Sequence, residues 1–394
     1  MIGPFGLEPK GTMRARALPA ARALACRGHH VSVVMPPWHT PDEGGRTWFD
    51  PGTGVEIEYV ELSGLSAPGL GHALVAARLA RRALARRPDV VHAFKPKAYS
   101  GLAATALRWL SAIRRAPPVI VDTDDWEGPG GWNDLEPYGS AQKWFFGRQE
   151  RSGLRNAHAV TVASRELETL TWALGVPRGL VTYLPNAIDA TRPSDPAPRP
   201  DRTESDRPTL LLYTRFFEFA LERPLEVLAN VKRHFPTVRL RVAGRGLFGE
   251  ETRFLEMAAG RGLAEAIEYE GWLEPDTLGS EFAGADVALY PFDDTLVNRT
   301  KSPVKLLELM SAGVAVVADA VGEPREVIEH GRSGLLVPPD NAAAMAGAVV
   351  DLLGDGPTRR AIAAGARERV QSAYTWDVRA PALEAVYETA RLGR

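Results

Sequence analysis

The sequence predicts an α/β protein of two domains, each a parallel sheet with helices on both faces. The 394 residues are too many for one ordinary core and suit two domains of about 180 residues each. Short apolar strands alternate with helical stretches along both halves of the chain, as in parallel sheets. Between residues 189 and 208 the composition changes to Pro, Asp, Arg and Ser with few apolar residues, which is typical of a linker.

Composition and charge narrow the class of protein. Hydrophobic residues make up 45% of the chain and charged residues 24%, values typical of a globular protein. A net charge of −2 gives no reason to expect nucleic acid as a partner. The single cysteine, Cys26, cannot form an internal disulfide. No apolar run approaches a membrane span, and the N-terminus lacks the pattern of a secretory signal. We therefore expect a soluble, cytoplasmic protein.

The first half opens with a glycine-rich loop, Gly3–Thr12, followed by a predicted helix over Met13–Cys26 and a buried strand over His30–Met35. This order is a β-α-β unit whose opening strand is nearly absent, so Met1 and Ile2 are interpreted as the end of a strand whose beginning is missing. Further strands are predicted at Asp89–Phe94, Pro118–Asp122, Ala159–Ala163 and Leu180–Leu184, and helices at Gly71–Arg87 and Gly101–Arg114.

The second half repeats the alternation. Its strands are predicted at Leu210–Tyr213, Arg239–Ala243, Ile267–Tyr269, Val287–Tyr290 and Val314–Ala318. Its helices are predicted at Pro224–His234, Glu250–Arg261, Val304–Ala312, Pro324–Glu329 and Asn341–Leu353. A last helix, Trp376–Leu392, follows the end of this half and is expected to pack across the hinge. Two such halves suit a cleft enzyme, because ligands bind at the carboxyl ends of parallel strands.

Two features of the second half suit an anion. Arg215 ends a strand and Arg223 precedes a helix, and guanidinium groups pair with phosphate oxygens through two hydrogen bonds. Gly244 and Gly246 follow another strand, where glycine lets a ligand approach the backbone closely. Taken singly, a surface arginine and a plain turn explain these residues equally well.

A third feature is the start of the helix near residue 304. Ser302 and Pro303 are predicted as its cap and first residue, which leaves free amides with Lys301 and Lys305 nearby, a suitable site for phosphate. One turn further on, Glu308 is placed to accept hydrogen bonds from the two hydroxyls of a ribose. The alternative is an exposed glutamate on an amphipathic helix.

Taken together, these motifs resemble those of the retaining glycosyltransferases of family four. In the second half the resembling stretches are Leu212–Phe216, Val242–Gly246, Glu270–Trp272, Gly284–Val287, Lys305–Ala318 and Gly331–Pro338. In the first half they are Lys10–Thr12, Arg27–Val31, Asp89–His92 and Leu184–Asp189. The resemblance covers nearly the whole chain in the right order, and its motifs are specific as a set but not singly.

The resemblance implies the GT-B fold, in which two Rossmann-like domains face each other across a cleft. The domains would be an acceptor-side domain at 1–188, a linker at 189–208, a nucleotide-sugar-binding domain at 209–372 and a C-terminal helix at 373–394 that crosses back to the first domain. The implied reaction moves a sugar from a nucleotide-diphosphate sugar to a glycan, lipid-linked or small-molecule acceptor. It retains the anomeric configuration and needs no metal and no cofactor besides the donor.

The resemblance also assigns roles to residues. Glu308 would hold the donor ribose, Arg215 would neutralise the leaving diphosphate, and Trp272 would lie beside the base. The amides of Val304 and Lys305 would bind the diphosphate. The full set of expected donor-binding residues is Gly11, Thr12, Arg215, Arg223, Gly244, Trp272, Lys301, Val304, Lys305 and Glu308, of which Arg215, Lys301 and Glu308 are expected to be catalytic.

The chain departs from the family pattern at two positions. The family usually has a second glutamate eight positions before the one at Glu308, where this chain has Thr300. That glutamate touches the transferred sugar in the family, so its absence puts the sugar, and activity itself, in question; Asp293 or Asp294 would have to replace it. The lysine expected five residues after the arginine is Ala220.

Carboxylates are dense after the strand that ends near Asp122. Asp124 or Asp125 is expected on the acceptor or sugar side of the cleft, and a solvated loop is the equal alternative. A metal site is not expected there, because the resemblance implies metal independence and no histidine is near. His92, at the end of another strand, is expected to be a packed histidine.

The helix near Ala77–Arg87 is basic and amphipathic. Its arginines are Arg78, Arg81, Arg82, Arg86 and Arg87. Such a helix can rest on an anionic membrane surface, which would suit a lipid-linked acceptor at the inner membrane. The alternative is an ordinary solvated helix.

Two other functions stay open beside the enzyme. A glycosyltransferase-like subunit that binds without turnover is favoured by Thr300 but disfavoured by the retained Arg215, Lys301 and Glu308. A nucleotide-sugar epimerase of the same architecture would need a histidine and several carboxylates that converge in the cleft, and no such set can be assembled. A dinucleotide oxidoreductase is least favoured, because no strand leads into a full Gly-x-Gly-x-x-Gly with a later acidic residue.

Overall fold

The computed structural model describes residues 1–9, 11–62, 69–113, 116–189, 207–274 and 278–392. The chain forms two compact units. Unit 1 comprises Met1–Asp189, Thr300–Ser302 and Trp376–Arg394, and unit 2 comprises Ala190–Arg299 and Pro303–Thr375. Parallel sheets in two domains confirm the predicted α/β class. Residues 190–206 of the predicted linker, and Lys10, lie outside the described residues.

The sheet of unit 1 has seven named strands in the described residues. They are β1 (Ser32–Met35), β2 (Thr47–Phe49), β3 (Glu56–Tyr59), β4 (Val91–Phe94), β5 (Val119–Thr123), β6 (Ala159–Val162) and β7 (Val181–Tyr183). The strand orders are β1-β3-β2 and β4-β5-β6-β7, and only the β2–β3 pair is antiparallel. Ile2 forms parallel bridges to both Val34 and Ala93, so Met1 and Ile2 lie in the sheet as predicted.

The helices of unit 1 cover the sheet. A π-helical turn, Thr12–Ala17, continues into α1 (Leu18–Cys26). It is followed by α2 (Leu70–Ala85), α3 (Ala98–Ala112), α4 (Trp132–Leu135), α5 (Ser140–Asn156) and α6 (Arg165–Ala173). On α2, buried apolar residues recur at helical spacing (Val75, Leu79 and Ala83), which fixes the face that packs on the sheet.

Unit 2 has a six-stranded, fully parallel sheet of order β10-β9-β8-β11-β12-β13. Its strands are β8 (Thr209–Tyr213), β9 (Arg239–Ala243), β10 (Ile267–Gly271), β11 (Val287–Tyr290), β12 (Ala315–Asp319) and β13 (Leu335–Val337). Its helices are α7 (Glu222–Lys232), α8 (Glu250–Gly260), α9 (Leu278–Ala283), α10 (Leu296–Thr300), α11 (Val304–Ser311), α12 (Pro324–Val327), α13 (Ala342–Gly354) and α14 (Gly356–Ala373). The central strands are buried on both faces, which is why they appear in the sequence as continuous apolar runs.

The last helix, α15 (Trp376–Leu392), belongs to unit 1. Trp376, Ala380 and Leu383 pack with residues of α1 in one buried cluster. The backbone N–H of Trp376 donates to the carbonyl of Ile188 at 3.1 Å. This packing confirms the expectation that the C-terminal helix returns to the first domain.

One close backbone approach in unit 2 requires glycine. Gly244 follows β9 with φ of 129°, and a Cβ placed there would collide with the carbonyl oxygen of Thr214. The turn after β9 can therefore lie against the end of β8 only without a side chain at this position.

We expect Gly244→Ala to lower the free energy of unfolding by about 2–3 kcal/mol, because the new methyl group collides with backbone and the φ angle is strained. The matched control is Gly347→Ala on α13, where a Cβ meets no atom within 4 Å and alanine should stabilise the helix by about 0.5–1 kcal/mol. Urea unfolding of both variants checks this, and equal stability of Gly244→Ala and the parent chain would contradict it.

Candidate functional site

The turn after β8 presents Arg215. Phe216 is buried in the core of unit 2 although its φ is +65°, and its backbone N–H donates to Thr214 Oγ1 at 2.8 Å. The buried ring and this hydrogen bond hold the turn in a backbone conformation that is uncommon outside glycine. Arg215 itself is half-buried, with its guanidinium carbon 5.9 Å from the ring centre of Phe217.

A small pocket opens between the ends of β8 and β11 in unit 2. Tyr213, Glu218, Tyr290 and Lys305 are among the residues that line it. Lys305 Nζ lies 4.4 Å from the ring centre of Tyr213. Burial raises the pKa of Tyr290 well above 10, and the charges of Glu218 and Glu308 add to the shift, so both carboxylates are close to its hydroxyl. The pocket therefore brings a lysine, the carboxylate of Glu218 and two tyrosines together, with Glu308 close by.

Helix α11 begins at Val304, the first residue of the predicted helix, but its cap differs from the expected one. Its N-cap residue is Pro303, whose side chain makes no capping hydrogen bond. The prediction that Ser302 is the cap and Pro303 the first helical residue is therefore wrong, because the hydroxyl of Ser302 accepts a hydrogen bond from the Asn186 backbone at 2.9 Å instead. Val304, Lys305 and Glu308 lie in the first two turns and are half-buried.

Arg223 is enclosed by aspartates. Its side chain is only 4% exposed, it forms ion pairs with Asp293 and Asp319, and it lies 3.8 Å from Asp340. Asp319 ends β12 and also accepts the backbone N–H of Phe292 at 2.8 Å. Burial raises the pKa of Asp319 to about 6, against the opposing effect of Arg223. The charge of Arg223, which the sequence suggested for phosphate, is thus already matched by carboxylates.

The other predicted donor residues of unit 2 lie at loop positions. Trp272 follows β10 and is 53% exposed, as a ring that covers a ligand can be. Gly244 lies after β9 in the close approach described above. Asp294 pairs with Arg299 at 2.5 Å, and Asp293 pairs with Arg223, so both aspartates proposed to replace a missing glutamate hold arginines.

In unit 1 the structure brings two predicted residues together. Thr12 Oγ1 donates to Asp124 Oδ2 at 2.6 Å, across 112 residues of chain. Both side chains are buried, and Asp124 is 9% exposed. Gly11, the residue before the π-helical turn, is exposed, and a Cβ placed there would meet no atom within 4 Å. The glycine-rich loop therefore ends against the carboxylates that follow β5.

Lys95 is the centre of those carboxylates. Its Nζ lies 2.8 Å from Asp125 Oδ2, 3.2 Å from Glu127 Oε1 and 3.7 Å from Asp124 Oδ1. Burial alone would lower the pKa of Lys95, but the three carboxylates outweigh it and hold the pKa well above its ordinary value. The sequence analysis missed Lys95, although its place directly after β4 matches that of Asp124 after β5.

The turn that carries Lys95 is strained. Lys95 and Ala98 have φ of 53° and 50°, a region that side-chain-bearing residues seldom adopt. Gln149 holds the turn by accepting from the backbone N–H of Ala98 at 2.9 Å, and Lys97 Nζ donates to Glu127 Oε2 at 2.7 Å. Backbone strain of this kind is concentrated at functional sites.

A buried ion pair joins the π-helical turn to β5. Arg16, 1% exposed, donates to both oxygens of Asp122 at 2.7 and 2.6 Å. It also donates to Asn186 Oδ1 at 3.0 Å, and Asn186 Nδ2 donates to the carbonyl of Ser302 at 2.6 Å. Lys301 therefore stands in a segment held by unit 1, 6.0 Å from the ring centre of Trp132, and Thr300 beside it is buried.

His92 is packed in the core of unit 1. Its ring nitrogens lie 3.1 Å from Thr161 Oγ1 and 3.1 Å from the hydroxyl of Tyr387. Burial, with help from the N-terminal ammonium and Arg16, holds the pKa of His92 well below 6.5. It is a neutral, hydrogen-bonded core histidine.

The basic helix α2 is partly neutralised by its own unit. Arg82 pairs with Glu58, and Arg86 pairs with Glu56 and Glu58 at 2.6 Å each. Arg78 donates to the carbonyl of Glu61 at 2.9 Å. Within the described ranges, no helix is long and apolar enough to cross a membrane, and no three His, Cys, Asp or Glu side chains are grouped to hold a metal ion.

Comparison with known proteins places both halves of the chain in described families. Residues 11–187 match the model of the glycosyl transferase 4-like domain, and residues 207–355 match that of the glycosyl transferases group 1. The chain is 28% identical over 400 residues to a phosphatidyl-myo-inositol mannosyltransferase of Mycolicibacterium smegmatis, covering 99% of this chain and 93% of that protein. It is 26% identical over 334 residues to a glycogen synthase of Mycobacterium tuberculosis, covering 82% and 75%.

Solved structures share the fold. The sucrose-phosphate synthase of Thermosynechococcus elongatus matches with a TM-score of 0.70 at 18% identity and covers 100% of this chain and 99% of its own. Anabaena HepE in complex with UDP matches with a TM-score of 0.69 at 17% identity and covers 98% of each chain.

We expect Lys95→Met to destabilise unit 1 by about 3–5 kcal/mol at pH 7, because it leaves buried carboxylates without their cation. In the parent chain the pKa of Lys95 is raised, so its charged side chain contributes fully to the free energy of unfolding at any pH below about 10.4. Burial already raises the pKa of Asp125, and without the opposing charge of Lys95 it should rise further, so the loss of stability in the variant should grow from pH 5 to pH 8.

Thermal unfolding of Lys95→Met and the parent chain across this pH range measures the loss of stability. Lys143→Met is the control, because Lys143 lies 3.5 Å from the half-exposed Asp134 and should change stability by at most about 1 kcal/mol. A loss of stability that becomes smaller as the pH rises would contradict the expected role of Lys95.

Proposed function

We propose that this chain, which is a glycosyltransferase with the GT-B fold, transfers a sugar from a nucleotide-diphosphate sugar with retention of the anomeric configuration. The observation that supports it most is the start of α11. Its N-cap residue, Pro303, has no side-chain group that could accept from the helix amides, Lys305 lines the pocket beside the Arg215 turn, and Glu308 follows one turn later.

The proposed donor site is a set of positive groups that would stabilise the negative charge of the leaving diphosphate. As the bond from the sugar to the diphosphate breaks, negative charge accumulates on the diphosphate, and prearranged cations and helix amides stabilise it. Arg215, Lys305 and Lys301 would supply the cations, and the amides of Val304 and Lys305 would complete the site. Glu308 would accept the two ribose hydroxyls, and Trp272 and the Gly244 turn would flank the nucleotide. No metal is needed in this scheme.

Arg223 has a different part in the proposal. Because its guanidinium is enclosed by Asp293 and Asp319, we assign it to fixing the loops after β11 and β12 rather than to direct contact with phosphate. The same pairing occupies Asp293, so it does not stand in for the carboxylate missing at Thr300.

The proposed acceptor site is in unit 1. Asp124 Oδ2 is taken by Thr12, while its buried Oδ1 has no hydrogen-bond partner among the described residues. The ammonium of Lys95 lies 3.7 Å from this oxygen, too far for a hydrogen bond. A buried acceptor atom without a hydrogen bond is costly, so it suits a hydroxyl of an incoming acceptor. Asp125 would hold Lys95 in place, and Gly11 would allow close approach. Relatives named phosphatidylinositol mannosyltransferases favour a lipid-linked acceptor, used at the cytoplasmic face of a membrane.

A subunit that binds a nucleotide sugar without turnover is the second candidate, favoured by Thr300. It shares the donor site and differs in lacking transfer, so binding and turnover have to be measured separately. The anomeric configuration of the product tests retention. An α-linked donor should give an α-linked product, and the anomeric proton signal in an NMR spectrum of the first product formed shows which linkage is present.

We expect one nucleotide diphosphate, from a panel of UDP, GDP and ADP with their sugars, to raise the unfolding temperature of the chain. A ligand at 100 times its Kd stabilises the native state by about 2.7 kcal/mol. The Arg215→Ala, Glu308→Ala double variant should lose the shift. The Arg332→Ala, Glu368→Ala variant, which removes a surface ion pair of 3.4 Å, is the matched control and should keep it. A shift that survives in the first variant would refute the donor site.

We expect Asp124→Asn to lower kcat/KM for the acceptor about 100-fold, because the amide turns a hydrogen-bond acceptor into a possible donor at a buried site. Its nucleotide-induced unfolding shift should equal that of the parent chain. Asp134→Asn, at an exposed position nearby, is the control. If Asp124→Asn transfers sugar at the parental rate, the acceptor does not bind there.

A further inference from the structure

The segment Thr300–Ser302 has an unusual place in the molecule. The residues on both sides of it, up to Arg299 and from Pro303, belong to unit 2, but these three residues belong to unit 1. We call this segment the strap. It contains Lys301 and leads directly into α11, whose first amides are part of the proposed donor site.

Asn186 forms hydrogen bonds to the strap. Its backbone N–H donates to Ser302 Oγ at 2.9 Å, and its side-chain Nδ2 donates to the carbonyl of Ser302 at 2.6 Å. Its Oδ1 accepts from Arg16 at 3.0 Å. Two hydrogen bonds thus run from one residue to the last residue of the strap, and a third connects the same side chain to the core of unit 1.

The chemistry of this bridge requires a side chain that both accepts and donates hydrogen bonds, as the amide of Asn186 does. Arginine only donates hydrogen bonds and a backbone carbonyl only accepts them, so the group between Arg16 and Ser302 must accept on one side and donate on the other. A carboxylate cannot donate, and an aliphatic side chain can do neither. The two neighbours also fix which way the amide of Asn186 is turned.

Arg16, which donates to Asn186, is itself held in a fixed position. Its guanidinium is buried, and both Nε and Nη2 donate to Asp122, so it cannot turn without breaking a paired, buried charge. The position of Asn186 is therefore set by β5, the strand that also leads to Asp124.

We propose that Asn186 is a positioning residue for sugar transfer, because it fixes the strap and thereby sets where Lys301 stands. This inference rests on the proposed function, in which Lys301 helps to stabilise the leaving diphosphate. Asn186 acts through Lys301 and not on the substrate. Displacing a charge by about 1 Å from its productive position can cost a large factor in rate.

Asn186→Asp tests the bridge. It keeps an oxygen that accepts from Arg16, replaces the group that donates to the carbonyl of Ser302 with an oxygen that cannot donate, and adds a negative charge. Thr161→Val is the matched control, because Thr161 Oγ1 donates to Asp122 at 2.6 Å in the same network but does not touch the strap. Ser302→Ala, which removes the acceptor of the Asn186 backbone N–H, tests the bridge from the other side if Asn186→Asp does not fold.

The first measurement needs no substrate. The endoproteinase Lys-C cleaves after lysine, so cleavage of the native chain after Lys301 reports how firmly the strap is held. We expect Asn186→Asp to increase this rate about 10-fold, the effect of losing one buried hydrogen bond, with cleavage after Lys232 of α7 as internal reference. Thr161→Val should leave the ratio of the two cleavage rates unchanged. An unchanged ratio in both Asn186→Asp and Ser302→Ala would overturn the proposal.

The second measurement is a double-mutant cycle of kcat with Lys301→Ala. Asn186→Asp should lower kcat about 10- to 100-fold in the parent chain but less than about 2-fold when Lys301 is already absent. Thr161→Val should change kcat by the same factor in both backgrounds. Equal factors for Asn186→Asp would also overturn the proposal. Failure of the parent chain to bind any nucleotide would refute the proposed function instead, and the cleavage ratio would still decide whether Asn186 holds the strap.

Discussion

The buried pair of Arg16 and Asp122 is the interaction on which unit 1 depends. A guanidinium that is 1% exposed is tolerable only if its charge is matched, and Asp122 matches it with two hydrogen bonds. The pair joins the π-helical turn after the glycine-rich loop to the end of β5, so the two segments cannot move apart. Thr12 and Asp124 then meet because each lies within four residues of a member of this pair.

Charge compensation also explains how the loops at this edge of the sheet are built. Lys95 and Lys97 lie in the turn after β4, and Asp125 and Glu127 lie in the segment after β5. Lys95 pairs with Asp125, and Lys97 pairs with Glu127. Neither set could be buried alone, because each unpaired charge would cost several kcal/mol. The strained backbone of the β4 turn is stable because these ion pairs and Gln149 hold it on several sides. Asp124, at the rim of this arrangement, keeps one oxygen that no described residue satisfies by a hydrogen bond.

The sequence predicted what depends on local pattern and missed what depends on distant partners. The central strands were recognised as continuous apolar runs, because both of their faces are buried, and α1 was recognised from its helical repeat, because one of its faces is buried. β3 was missed although Val55, Ile57 and Tyr59 alternate with two glutamates, the pattern of a strand with one apolar face. What the sequence could not show is the burial of Glu58, which depends on its pairing with Arg82 and Arg86 of α2. The role of Ser302 was mistaken for a similar reason. A serine before a proline suggests a helix cap, but here its hydroxyl is taken by Asn186, 116 residues earlier.

The two arginines of unit 2 show why residue type and position alone do not assign a phosphate ligand. Arg215 and Arg223 both follow β8, and the sequence suggested both of them as donor-binding residues. Arg223 lies among Asp293, Asp319 and Asp340, and a phosphate would have to compete with the ion pairs to Asp293 and to the buried Asp319. Arg215 is half-buried on a turn stiffened by Phe216, with the aromatic ring of Phe217 beside it. An arginine can stabilise a leaving group only if its charge is not already matched in the resting protein, and by that physical criterion the candidate in unit 2 is Arg215.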